Sequence, residues 1–189
     1  MTDPIKDPLS EGGTVRPITL HGEPVLHERC AEVTAFDDEL VTLVKDMYAS
    51  MYAARGVGLA ANQIGVGLRV FVVDCPDVSG EHVVQHVVNP VLELPPLAER
   101  VLHEDEEGCL SVPGPSAEVA RPNASVIRGV DVEGNPVEIV GTGLLARCLQ
   151  HESDHLEGMV YVDRLSKRVR KRVLKEWQSG DYEDEDEAL

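Results

Sequence analysis

His151-Glu152-Ser153-Asp154-His155 narrows what this chain can become more than any other stretch. On an α-helix, side chains four apart lie on one face a turn apart, so both imidazoles could hold one metal ion. Glu152 follows His151 directly and would sit beside such an ion, free to handle a proton. This is the H-E-x-x-H arrangement of metal-dependent hydrolases: the ion activates water and polarises a carbonyl, and the Glu moves the proton. Thr142 is placed to cap the helix start, and Gly158 to end it in left-handed geometry. Leu144, Leu145, Cys148, Leu149 and Leu156 form an apolar stripe near the histidine face, so the helix is expected to be buried.

The helix needs a core to enter, and 189 residues suffice for one domain with a sizeable core. Only 4 % of residues are aromatic, so that core should be aliphatic. The formal charge of −17 opposes general nucleic-acid binding and attraction to anionic membranes. No signal peptide and no membrane-spanning apolar run is visible. Cys30, Cys75, Cys109 and Cys148 include no C-x-x-C pair and are too scattered for a disulfide framework. A cytoplasmic protein is expected, in which a thiolate survives as a metal ligand.

Residues 1–14 read as a flexible leader, 15–178 as one catalytic domain and 179–189 as an acidic, disordered tail. Val15–Leu20 is weakly extended. A first helix begins near Asp37, carries Leu40, Leu43, Val44, Met47, Tyr48 and Met51 at helical period, and ends at Arg55-Gly56. Residues 56–65, Gly-Val-Gly-Leu-Ala-Ala-Asn-Gln-Ile-Gly, leave the backbone little shielded, which permits close approach by another backbone. Leu68–Asp74 and His82–Val88 read as strands, the second stopping at Asn89-Pro90, with His82 and His86 on the surface. Ala124–Val132 and Pro136–Val140 read as a hairpin leading into the histidine helix. Ser166 should cap a last helix, Lys167–Gln178, whose basic run suits a specific anionic partner and whose charge the tail could screen. The expected fold is therefore α+β, a single domain of mixed or antiparallel strands around a central H-E-x-x-H helix, with one N-terminal and one C-terminal helix.

A catalytic site of this type needs a third protein ligand and an open position. Where some H-E-x-x-H proteins place a third histidine, this chain has Tyr161. Glu176, on the last helix, is surrounded by basic residues. Cys148 lies a further turn back and suits the pocket wall. Cys30 and Cys75 lack suitable neighbours and read as buried hydrophobes. Cys109 remains, beside Gly108 and after a run of carboxylates.

Three motifs then stand in order: Gly56-Val57-Gly58-Leu59-Ala60-Ala61-Asn62-Gln63, Glu107-Gly108-Cys109-Leu110-Ser111, and Gln150-His151-Glu152-Ser153-Asp154-His155. Together they resemble peptide deformylases over roughly residues 15–175. The resemblance implies a metal held by Cys109, His151 and His155, usually ferrous iron, with zinc, nickel or cobalt able to substitute. It implies Glu152 as general base and then acid, and Gln63 (side-chain amide) with Leu110 (backbone N–H) as oxyanion donors. The reaction implied removes the formyl group from N-formyl-methionyl nascent peptides and releases formate. A peptide would lie along Gly56, Gly58 and Gly108 by strand-like bonds, with Val57, Leu144 and Cys148 lining the methionine pocket. In some members the last helix docks on the ribosome, which the basic run here would permit. Asn62 stands where threonine is common, the segment after Ser111 lacks an arginine some members carry, and Arg147 takes a position that is often aliphatic. A small metalloprotease and a purely structural metal site are the competing readings.

Overall fold

The computed structural model describes residues 7–180. The first six residues of the expected leader, and the expected tail from residue 181, lie outside the described residues. The fold is a single α+β domain of three α-helices and two antiparallel sheets.

The first helix, α1 (Asp38–Ala53), starts where Asp37 accepts bonds from the Glu39 and Leu40 N–H groups, and Asp38 and Glu39 face the positive end of its dipole. Its six expected core residues are all buried. It ends at Arg55, which holds a positive φ of 55°. Strands β1 (Gly58–Ala60), β2 (Val70–Pro76) and β3 (His82–Glu93) follow, then β6 (Ala124–Val130) and β7 (Pro136–Thr142) after an intervening hairpin. These five form one sheet in the order β1-β2-β3-β6-β7, every neighbour antiparallel. Along β2, Val70 and Val72 pack with α1, while Phe71, Val73 and Cys75 join the opposite core with α2 (Gly143–Leu156). The sheet is thus covered on both faces, as its unbroken apolar run requires.

The intervening hairpin is β4 (Leu102–Cys109) and β5 (Val112–Pro122), a separate two-stranded sheet. Helix α3 (Lys167–Ser179) packs on β5 through Val169, Val173 and Trp177. The helix carrying the histidines therefore lies between the large sheet and the small one. It stops as expected: Gly158 is left-handed (φ 75°) and donates to the His155 carbonyl. Thr142 occupies the N-cap position but its side chain makes no capping bond. Leu144, placed on the buried stripe, is instead half exposed.

Several expectations are corrected. Strand β3 does not stop at Asn89-Pro90. It bulges there, with Asn89 at a φ of 50° and its side-chain amide exchanging bonds with Val33 N–H and C=O at 2.8 and 2.9 Å. The bulge absorbs the missing proline N–H. Gly129 on β6 allows it, because a Cβ there would stand 2.5 Å from Val87 Cγ1 and 2.8 Å from the Val88 oxygen. The Val15–Leu20 segment joins no strand; it is a strap held by Thr19 N–H to Gln63 O (2.7 Å) and His21 N–H to Ser111 O (2.8 Å).

His86, expected on the surface, is buried, whereas His82 is exposed and pairs with Asp74 at 2.5 Å. His86 Nδ1 bonds to Asp7, and its Nε2 accepts from Val132 N–H at 3.1 Å. Within the expected leader, Asp7 is buried and also accepts from Tyr48 O–H (2.8 Å), His86 N–H (3.0 Å) and Leu9 N–H (2.9 Å). Burial alone would raise the Asp7 carboxyl, but the donors led by His86 outweigh it and hold it below its ordinary value. A depressed carboxylate stabilises the fold above its unfolded value and loses that contribution as the pH falls through the folded one. Asp7→Asn is expected to cost about 1.5–3 kcal/mol at pH 7. Urea melts should show that gap narrowing as the pH is lowered into the acid range.

Candidate active site

The sequence supplies a thiol on one hairpin and two imidazoles on one helix, and the fold brings them to a common point. Cys109 Sγ lies 3.3 Å from His155 Nε2, and His155 Nε2 lies 3.2 Å from His151 Nε2. All three ligand atoms fall within 4.8 Å of one another. Tetrahedral coordination at ordinary metal–nitrogen and metal–sulfur lengths places neighbouring ligand atoms about 3.3–3.6 Å apart, so the spacing fits one ion. The donor chemistry fits as well: a soft thiolate and two imidazoles, brought together in a largely buried position, suit a first-row transition metal. Among the described residues this is the one cluster with metal-binding spacing.

The orientation of His151 is fixed from behind. Its Nδ1 lies 2.7 Å from Glu107 Oε1, which turns Nε2 inward. Glu107 is gripped in turn by Arg121 through Nε (2.7 Å) and NH2 (2.5 Å), and by Arg147 NH1 (2.9 Å). Arg121 also reaches Asp154 (3.0 Å), one turn from His151, and Arg164 holds that same carboxylate through Nε at 2.5 Å. Burial acts to raise Glu107, but Arg121 and His151 reverse it and hold the carboxylate well below its usual range. Burial also disfavours charge on both histidines. At His151 the Cys109 sulfur and Glu107 overcome this and lift the ring well above its ordinary value, whereas His155 is driven well below.

Glu152 is almost fully buried, and its Oε2 has no hydrogen-bond partner. Burial, reinforced by Glu107 and Asp154 against the opposing His151 and Arg121, pushes its carboxyl up to about 7. A carboxyl so placed can both take and give a proton near neutrality. Gly58 explains itself here: a Cβ on it would stand 2.4 Å from Glu152 Oε1 and 2.8 Å from Cys148 Sγ. Backbone and carboxylate approach that closely only because the side chain is absent.

In front of these groups opens a cavity of about 440 Å³. Gly56, Val57 and Gly58 form one wall, and Gly108, Cys109 and Leu110 another. Leu144, Cys148, His151 and Glu152 come from α2, and Gln63 closes the inner end. Every residue that the resemblance assigns to metal, catalysis or peptide binding lines this cavity except His155, which is wholly buried. The Gln63 amide has one orientation: Oε1 accepts from Ala60 N–H (2.9 Å), so Nε2 points to Ser111 Oγ (3.3 Å) and Cys109 Sγ (3.5 Å). Cys148 donates to Val57 O at 3.6 Å, tying helix to glycine segment. Asn62 donates to the carbonyl of His155 at 2.7 Å.

Tyr161 is buried and its hydroxyl donates to Pro115 O at 2.9 Å. Sequence reasoning missed Arg121, Asp154 and the bond from Glu107. One signal was available for Arg121: it follows Ala117 and Val119 in a period-two run of inward positions, where a basic residue requires a buried partner.

The polypeptide deformylase family model matches residues 15–171. Peptide deformylase 1 of Streptomyces avermitilis is 55 % identical over 88 % of this chain and 77 % of its own length. Peptide deformylase 2 of Streptomyces coelicolor is 54 % identical, covering 87 % and 90 % of the two chains. Among solved structures, a peptide deformylase from Legionella pneumophila superposes with a TM-score of 0.78 at 40 % identity, covering 88 % of this chain and 95 % of that one. The Ehrlichia chaffeensis enzyme in complex with actinonin gives 0.81 at 34 % identity, covering 89 % and 98 %. On sequence and architecture together, this chain belongs to the polypeptide deformylase family.

Proposed function

We propose that the chain removes the formyl group from N-formyl-methionyl nascent peptides in the cytoplasm, through a catalytic domain spanning residues 15–178. Cys109, His151 and His155 hold one metal ion in this reading, with ferrous iron the natural occupant and zinc, nickel or cobalt able to substitute. The ion, when bound, would supply Lewis acidity and lower the pKa of water. Glu152 accepts the proton of the water that attacks the formyl carbon, and returns it to the departing amine nitrogen, which cannot leave as an anion. The Gln63 side-chain amide and the Leu110 N–H donate to the oxygen on which charge grows. Strand β1 has a partner on one side only, so its free edge with Gly56 and Gly58, facing Gly108, suits an extended peptide held through its backbone. Val57, Leu144 and Cys148 then receive the methionine side chain. Such contacts accept many sequences after methionine. The basic outer face of α3 is assigned to the ribosome.

The observation that carries this reading is an orphaned, buried Glu152 carboxylate beside three converging ligand atoms, at the end of a peptide-sized cleft. A formate-release assay on formyl-Met peptides with anaerobically purified, iron-loaded protein tests it. Cys109→Ser is expected to lose most bound metal and at least 10²-fold in turnover. Full metal content in that variant would remove Cys109 from the ligand set. Internal cleavage of N-blocked peptides would favour the protease reading instead. No helix among the described residues is long and apolar enough to cross a membrane.

A further inference from the structure

Cys75 and Cys148 stand outside the metal cluster and meet each other across the core. Along β2, Phe71, Val73 and Cys75 pack on the α2 side of the sheet, and Cys148 joins the same buried cluster from the helix. A common acceptor fixes how near they come. The Val57 carbonyl accepts from Asp74 N–H at 3.0 Å and from the Cys148 thiol at 3.6 Å. The Cys148 sulfur therefore lies against the end of β2, beside the residue that precedes Cys75. The two thiols are within hydrogen-bonding contact. The Cys75 S–H points to Pro76 O at 3.7 Å, which leaves its sulfur lone pairs to accept from Cys148. That bond holds Cys75 below its ordinary pKa and, with burial, lifts Cys148 well above it. Cys30 and Cys109 turn instead to His155.

The two sulfurs differ in access. Cys75 is wholly buried, whereas Cys148 lines the cleft of about 440 Å³ in front of the metal cluster. A molecule of the size of hydrogen peroxide can enter there and touch Cys148, while Cys75 waits behind it. An accessible thiol backed by a second thiol is the arrangement in which a sulfenic acid is resolved to a disulfide. The apolar surroundings favour that product. A disulfide has no charge and needs no hydrogen bond, whereas a sulfenic acid left in place would be a buried polar group.

We propose that Cys75 and Cys148 are a reversible oxidation site, in which hydrogen peroxide entering the cleft joins them as a disulfide. The Cys148 sulfur attacks one peroxide oxygen: an S–O bond forms, the O–O bond breaks, and the other oxygen leaves as water with the thiol proton. The Cys75 sulfur then attacks the Cys148 sulfur: the S–S bond forms, the S–O bond breaks, and hydroxide departs with the Cys75 proton as a second water. The two thiols lose two electrons and the peroxide gains them. Closing the sulfurs to about 2 Å draws Cys148 from Val57 O and off the cleft wall. The link itself rests on the contact between the thiols; its effect on peptide binding rests on the methionine pocket proposed above.

The test uses the full chain loaded with zinc, so that iron does not consume the peroxide. After peroxide treatment and alkylation of free thiols, non-reducing peptide mapping is expected to find residues 75 and 148 linked within one chain, and dithiothreitol to separate them. The KM for a formyl-Met peptide should rise about fourfold, the scale of one lost apolar contact, with kcat and metal content held, and should return on reduction. In Cys75→Ala, peroxide should leave Cys148 as a sulfenic acid that dimedone traps, with activity before treatment unchanged. Cys75→Val serves if the alanine variant does not fold. Sulfinic acid on Cys148 or Cys109 without the 75–148 link, or links only between two chains, would overturn the proposal. An unchanged KM in the linked protein would overturn the effect on the pocket. Because the link is read by mass, its formation in a protein that releases no formate would remove the assigned reaction and keep the oxidation site.

Discussion

Glu152→Gln is expected to lower turnover of a formyl-Met peptide by about 10³-fold while the metal content stays full. The substitution keeps the shape of the side chain and touches none of the three ligand atoms. It removes the one group near neutrality in pKa that stands at the cleft and can shuttle a proton, pushed there by burial. Of the two other carboxylates lining the cleft, Glu107 is committed to Arg121, Arg147 and His151, and Glu106 accepts from the Ser116 hydroxyl. Formate release and elemental analysis on one preparation decide the matter. Turnover within tenfold of the parent would show that the proton moves by another route, and lost metal would make Glu152 a ligand.

The second large effect concerns a residue that does not line the cleft. Arg121→Met should destabilise the fold by about 3–5 kcal/mol, the usual range when one member of a buried charge network is removed. Arg121 is the largest of the fully buried side chains and joins three elements: β5, which bears it, β4 through Glu107, and α2 through Asp154. The variant leaves Glu107 to Arg147 and Asp154 to Arg164, which places the expected cost toward the lower end of that range. Since Glu107 fixes the His151 ring, metal affinity should fall with stability. Equilibrium unfolding of metal-loaded and metal-stripped samples separates the two effects. A variant as stable as the parent in both states would show that the network is replaceable.

Much of the architecture was legible because it is written in period. The 3.6-residue repeat marked α1 and α2, and β-branched runs marked β2, β3 and the β6–β7 hairpin. The β4–β5 hairpin was not legible as a pair. Glu104 to Glu106 face solvent, and the partner strand holds Pro113, Gly114 and Pro115, which argue against a strand on local grounds. Pairing, not propensity, makes both into strands. His86 was misplaced for a related reason: its polarity suggested the surface, and the Asp7 carboxylate that satisfies it lies 79 residues away in sequence. The clustering of Cys109, His151 and His155 was legible because the motifs are short and specific. The arginines behind them were not, since a lone arginine carries no pattern and its partner is chosen by the fold.

The small sheet and the helix beside it meet only in the finished molecule. Cys109 and His155 are 46 positions apart and ride on elements that share no hydrogen-bonded ladder. A chain arrested part-way through folding therefore owns every donor and yet has only scattered, weak chelators. In the function proposed above, tight metal uptake therefore requires that hairpin and helix have already come together.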